Sequence, residues 1–159
     1  MRKLISGVLL LLVSVSAYAE LPGVQHWSLD SDIETVYEKV YNSLEENRFF
    51  VVFEPNIGNN LARFSEKFGD DYNRNGLTAI RSMVFCNAWY ANQVSNLEPE
   101  LLALCPLHVS LYQQDATTHV VFVRPTYVGA GSKAADILQE LEADVVKAIQ
   151  QGVDAAGNK

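Results

Sequence analysis

The sequence predicts an α+β domain: about five strands in a mainly antiparallel or mixed sheet, with helices packed on one face. Three observations carry this. Amphipathic helical patterns lie at 33–44 and 137–149, strand-like runs fall between them, and two of those runs flank the short polar stretch Asp115-Ala-Thr-Thr118 as a hairpin would. No internal repeat or linker interrupts the order strand, helix, strand, helix, strand, short helices, hairpin, helix.

The chain opens with Arg2 and Lys3, an apolar run from Leu4 to Val15 and the small-residue pattern Ala17-Tyr18-Ala19. This is the layout of a secretory signal peptide over residues 1–19, cleaved after Ala19. The run is short of the roughly 20 apolar residues that span a bilayer, and no cysteine follows it to carry a lipid. The expectation is a periplasmic or secreted product with no membrane span after cleavage. Residues 20–159 then carry ten basic and nineteen acidic residues, a net charge of −9. An acidic surface repels phosphate backbones and anionic membranes, which excludes nucleic acid as a partner. The remaining length suits one domain.

Val24 to Leu29 reads as a first strand. Ser31-Asp-Ile-Glu34 fits a capping box, and Ile33, Val36, Tyr37, Val40, Tyr41 and Leu44 follow at helical spacing. Phe49-Phe-Val-Val-Phe53, apolar throughout and stopped at Pro55, predicts a central strand buried on both faces. Asn59 or Asn60 is the expected cap of a second helix bearing Leu61, Phe64 and Phe68 and closed by Gly69. Asp70 to Gly76 is a polar loop. Its acidic residues do not follow the alternate spacing of a calcium loop, and Arg74 and Arg81 stand where anions are wanted.

Thr78 to Cys86 is the third strand. Asn87 caps a short helix carrying Trp89, Tyr90 and Val94, with further turns over Glu98 to Leu104. Leu107 to Gln113 and His119 to Arg124 form the hairpin strands. A last helix spans Ser132 to Gln151 with the stripe Ile137, Leu138, Leu141, Val145, Val146 and Ile149, and Asp154 to Lys159 is a frayed tail.

Cys86 ends one strand and Cys105 precedes another, so both fall at one edge of the sheet. Two cysteines in an exported chain point first to a disulfide; closing a loop of that length stabilises a fold by about 3 kcal/mol in the chain-entropy treatment. The sharper alternative adds His108 to the two sulfurs as a soft-metal or haem set. Cys-x-x-Cys-His, Cys-x-x-Cys and His-Glu-x-x-His are all missing from the sequence, so the expected cofactor content is none, with soft metal or haem as the alternative. A reactive thiol would need an electropositive setting, which this acidic chain offers near Arg81 and Arg124. His26 and His119 are single histidines on strand-like runs, with no partner in the sequence. Hydrolase, P-loop and dinucleotide motifs do not occur. Gly129-Ala-Gly131 before the last helix reads as a flexible turn, with an anion cradle at the helix N-terminus as the alternative. Trp89, Tyr90, Tyr112 and Arg124 are candidate pocket residues, although aromatics at strand spacing usually belong to a core.

The succession Val84-Phe-Cys-Asn87, a short helical insertion, Leu104-Cys-Pro-Leu-His-Val-Ser-Leu-Tyr112, a hairpin and a strand closing on Arg124-Pro125 resembles the family called domain of unknown function 302. Its members typically show a Phe-Gly-Asn-Pro-like segment, a Leu-Pro-Leu-basic-Val segment and a strand closing on proline. The resemblance covers about residues 30–128 and implies a small α+β domain with no settled activity and no agreed catalytic residues. Cys86 stands where glycine is common and Cys105 where an aliphatic residue is common. These paired departures favour the Cys86–Cys105 bridge. The expectation is an exported, non-enzymatic binding or accessory module for a small molecule or protein, with a pocket near the Cys86–Cys105 edge. The alternative is a periplasmic thiol-redox or metal- or haem-handling protein using Cys86, Cys105 and His108.

Overall fold

Strand β1 (Val24–Leu29) leads into helix α1 (Ile33–Glu46), the short strand β2 (Phe50–Phe53) and two brief helices, α2 (Ile57–Ala62) and α3 (Ser65–Phe68). Strand β3 (Ala79–Cys86), helix α4 (Ala88–Leu97), a 3-10 turn (Pro99–Leu104) and the hairpin β4 (Leu107–Gln114) and β5 (Thr117–Val123) follow. The short α5 (Pro125–Val128) and the long α6 (Ala135–Gly157) close the chain. This computed structural model describes residues 21–157, so the expected leader at 1–19 lies outside the described residues. Among the described residues no helix is long and apolar enough to cross a membrane.

The five strands form one antiparallel sheet in the order β1-β5-β4-β3-β2. Partner residues in an antiparallel ladder share a face and successive residues alternate, so the register sorts the strands into two sets. Trp27, Phe122, Val120, Val109, Leu111, Met83 and Phe85 point to one face, which α1 and α6 cover. There they meet Val36, Val40 and Leu44 of α1 and Leu138, Leu141, Val145 and Ile149 of α6, all buried. Full burial of one such side chain contributes about 1.5–3 kcal/mol, so this layer dominates the stability of the domain.

The helical spacing of the sequence produces this layer directly. The two helices approach so closely that a Cβ on Gly152 would lie 2.6 Å from Val40 Cα, and the Ser43 hydroxyl donates to the Ala148 carbonyl at 2.7 Å. The end of α1 follows the Schellman pattern: Phe49 N–H bonds Leu44 O and Arg48 N–H bonds Glu45 O, with Arg48 at φ 65°.

Five expectations are corrected. Helix α1 is capped by Asp32, which accepts from Thr35 N–H at 2.9 Å, not by Ser31; Glu34 is drawn off to Arg81. Strand β2 is an edge strand, and Phe50, Val52 and Phe53 are exposed by 55, 64 and 63 %. Its outer N–H at Val51 is taken up by the Glu45 carboxylate at 2.7 Å. Asn56, not Asn59 or Asn60, caps α2. Finally, α6 continues to Gly157 where a frayed tail was expected, because Val153 and Ala156 extend its buried stripe. The hairpin turn is also tighter than expected: only Asp115 and Ala116 separate the strands, with Asp115 at φ 54°, a conformation aspartate tolerates better than most residues.

Candidate functional site

A cavity of about 540 Å³ opens beside the end of the sheet, between α2, the 71–78 loop and β3. Each wall has a local cause. Strand β2 stops at Phe53, so the first half of β3 has no strand on its outer side; instead Ser82 N–H bonds Pro55 O, and α2 settles alongside. Gly58 permits that approach, since a Cβ there would stand 3.2 Å from Ile80 N. Asn73, at φ 46°, ties the loop by accepting from Leu77 N–H and donating to Leu77 O, both at 2.9 Å. Leu61, Ala62, Phe68, Tyr72 and Ile80 give the cavity an apolar lining, and the amides of Asn56, Asn59, Asn73 and Asn75 give it polar points.

Arg81 forms the inner wall. It occupies an inward position of β3, in line with Met83 and Phe85, but near the strand's start, where the helix layer thins to the first turn of α1. Its Nη1 donates to both Glu34 carboxylate oxygens at 2.8 Å, and its guanidinium lies 4.1 Å from the Tyr37 ring centroid. The Tyr37 hydroxyl in turn donates to Glu54 Oε2 at 2.7 Å. Burial and the Glu54 carboxylate push the Tyr37 hydroxyl's pKa up. Burial works against the Arg81 charge, but Glu34 outweighs it and the guanidinium pKa rises. The second cation of the cavity, Arg74, is paired with Asp71. One group is left over: Arg81 Nε–H is shielded from solvent and has no acceptor among the described residues.

The residues expected at the Cys86–Cys105 edge are placed otherwise. Cys86 and Cys105 are both free and half-buried, and no disulfide joins them. Continuing the register Phe85↔Leu107 by one residue sets Cys86 opposite Pro106, not Cys105, and the Cys105–Pro106 peptide is cis. Burial, with the nearby Cys86 thiol, pushes the Cys105 thiol's pKa up, which is opposite to what a reactive cysteine needs. His108 is exposed on the face of the sheet away from the helices. Among the described residues no three of His, Cys, Asp and Glu are gathered as a metal-ligand set: Cys86 and Cys105 are neighbours, but His108 does not join them.

The four pocket candidates are scattered. Trp89 is exposed and packs edge-on against Tyr90 at 4.8 Å, while the buried Tyr90 donates to Asp144 Oδ2 at 2.6 Å and ties α4 to α6. Tyr112 lies toward the opposite end of β4, stacked 4.6 Å from the His119 ring. Arg124 leaves β5 and binds the buried Glu142 through Nε at 2.8 Å, beside a shallow cleft of about 430 Å³ shared with Gln25 and Gln139. Glu142 also accepts from Thr126 N–H. Burial alone would raise the Glu142 pKa, but the Thr126 hydrogen bonds and Arg124 lower it. The Gly129-Ala-Gly131 turn borders a shallow cleft of about 440 Å³, in which Glu98 already accepts from Lys133 N–H at 2.9 Å.

Sequence reasoning missed the Arg81 cavity and the neighbourhood of His26 and His119. Arg81 did leave a signal: a lone cation in step with Met83 and Phe85 on an otherwise apolar strand. The histidines left none, because only the β1–β5 pairing brings them together.

Fold and site together define an open-faced α+β domain, one antiparallel sheet backed by two long helices with a cavity at its β3 edge. A family model described as "Domain of unknown function DUF302" matches residues 25–155, and the chain belongs to that family. The structure is similar to the crystal structure of an uncharacterized conserved DUF302 protein from Bacillus stearothermophilus. The TM-score is 0.70 at 18 % identity, covering 82 % of this chain and 98 % of that one, a likeness of fold. No curated protein matches the sequence.

Proposed function

We propose that this chain is an exported binding or accessory module that holds a small, largely uncharged organic molecule in the cavity beside Arg81. The observation that carries this reading is a ligand-sized cavity with an apolar lining and the amides of Asn56, Asn59, Asn73 and Asn75 at its wall. Sites for small molecules usually enclose about 300–1,000 Å³ with an apolar lining and a few fixed polar groups. The ligand class follows from the charges: Arg81 is balanced by Glu34 and Arg74 by Asp71, so the cavity offers amides and apolar surface but no unbalanced ion.

A non-catalytic role fits the same groups. Glu34, Glu54, Asp71 and Tyr37 are all engaged by partners, and Tyr37 is held in its protonated form, whereas a general base must be free and poised near the working pH. Export rests on the Arg2-Lys3, Leu4–Val15 and Ala17-Tyr18-Ala19 pattern.

The test is titration with the neutral fluorescent probe N-phenyl-1-naphthylamine. Ala62 is exposed at the cavity wall, so A62W fills the space without entering the core. The probe is expected to bind the parent chain and to lose affinity at least tenfold in A62W and severalfold in R81M. Equal binding by parent and both variants overturns the proposal.

A further inference from the structure

We infer that His26 and His119 form a two-imidazole seat for a divalent cation, Cu(II) foremost, on the face of the sheet that the helices leave open. The pair is built by the strand register. Ser28↔His119 and His26↔Val121 are partners across β1 and β5, so the two imidazoles are diagonal neighbours on one face. His26 Nε2 and His119 Nδ1 stand 2.9 Å apart, with ring centroids 5.1 Å apart and the ring planes within 18° of parallel.

That separation lets both nitrogens reach a single ion. Two nitrogens each about 2.0–2.1 Å from one ion stand about 2.8–3.0 Å apart when cis in a square or octahedral shell, and about 3.3 Å apart in a tetrahedral one. The 2.9 Å contact is a hydrogen bond that a small ring movement replaces, so either spacing is within reach of the pair and affinity selects the ion. Copper(II) binds nitrogen donors most tightly of the first-row divalent ions.

The surroundings favour such a seat. The Tyr112 ring lies against His119 at 4.6 Å and 13°, which fixes one ligand, and His26 is exposed, so a small outward swing of its ring brings both lone pairs onto a common point. The ion's other positions face solvent and take water. In the empty pair one ring donates its N–H to the other. On ligation that hydrogen is relocated to the same ring's second nitrogen, so two neutral imidazoles bind without oxidation or reduction. The seat uses no residue of the Arg81 cavity and stands or falls separately from the function proposed there.

The experiment titrates Cu(II) into the chain carrying C86S and C105S, which removes the thiols that would reduce it, and Ni(II) into the unaltered chain. Binding is read by calorimetry, and the copper site by electron paramagnetic resonance. The expected result is one tight ion per chain with coupling to two imidazole nitrogens. H26Q and H119Q should each weaken binding at least tenfold and leave a single coupled nitrogen, whereas H108Q, on the same face, should change neither. The substituted side chains lie on an uncovered face, so folding is expected to persist and is checked by circular dichroism. Binding that survives H26Q and H119Q, or weakens equally in H108Q, overturns the inference, as does no binding of either ion at micromolar concentrations.

Discussion

The two faces of this sheet are made from the same strands and behave as different materials. Toward the helices, Met83, Phe85, Val109, Leu111, Val120 and Phe122 are at most 1 % exposed. On the other face lie Val84, His108, Ser110, Tyr112, His119, Val121 and His26, each exposed or half-buried. All three histidines of the chain are on that second face. Strand alternation therefore separates the residues that hold the domain together from those with chemistry to offer, at one-residue resolution. Change at these positions should be nearly free of folding consequences; Ser82, on the same face but 3 % exposed and bonded to Val109 O, is the exception.

The sharpest way to break that contrast is to substitute one residue from each face. Phe85→Ala removes a ring packed against Phe49 and Phe122 and should cost about 3–5 kcal/mol, while His108→Gln on the open face should stay within about 0.5 kcal/mol. Denaturant midpoints at constant slope measure both. Comparable losses in the two variants would show that the open face is structurally engaged after all.

A smaller effect is expected at the margin of the helix layer. Glu142→Gln removes the charge that holds Arg124 and Thr126 and should cost about 2 kcal/mol, below the 3–5 kcal/mol of a fully buried pair because Arg124 is 41 % exposed. The folded-state pKa of Glu142 is lowered. Its stabilisation is thus present above the unfolded value of about 4.3 and is lost as pH falls through the folded one. Unfolding midpoints measured from pH 7 down to pH 2 should fall less steeply in E142Q than in the parent chain. The smallest effect has the opposite sign: Arg48→Gly relieves the left-handed conformation at the end of α1 and should raise stability by about 0.5–1 kcal/mol, read as a higher midpoint.

Much of the helix-side face was legible because periodicity reports burial directly: β4, β5, α1 and the stripe of α6 all follow from spacing. Strand β2 was misread for a physical reason. An apolar run signals a buried central strand only if both sides are covered, and Phe50 and Phe53 lie at an edge where composition alone does not reveal the missing neighbour. The candidate site was less legible still. Cys86 and Cys105 drew attention by type and proximity in sequence, whereas the Arg81 cavity depends on where β2 ends, and the His26–His119 contact joins positions 93 residues apart. Spacing along a chain carries no information about such pairings until strand order is known.

The Glu45 carboxylate on Val51 N–H has a consequence for how these molecules behave in company. An edge strand with phenylalanines and open hydrogen-bonding groups is a template on which further chains can stack. By occupying the outward donor, α1 puts a charged stopper on the growth end of the sheet, and an approaching strand must first dislodge an anion from its own helix.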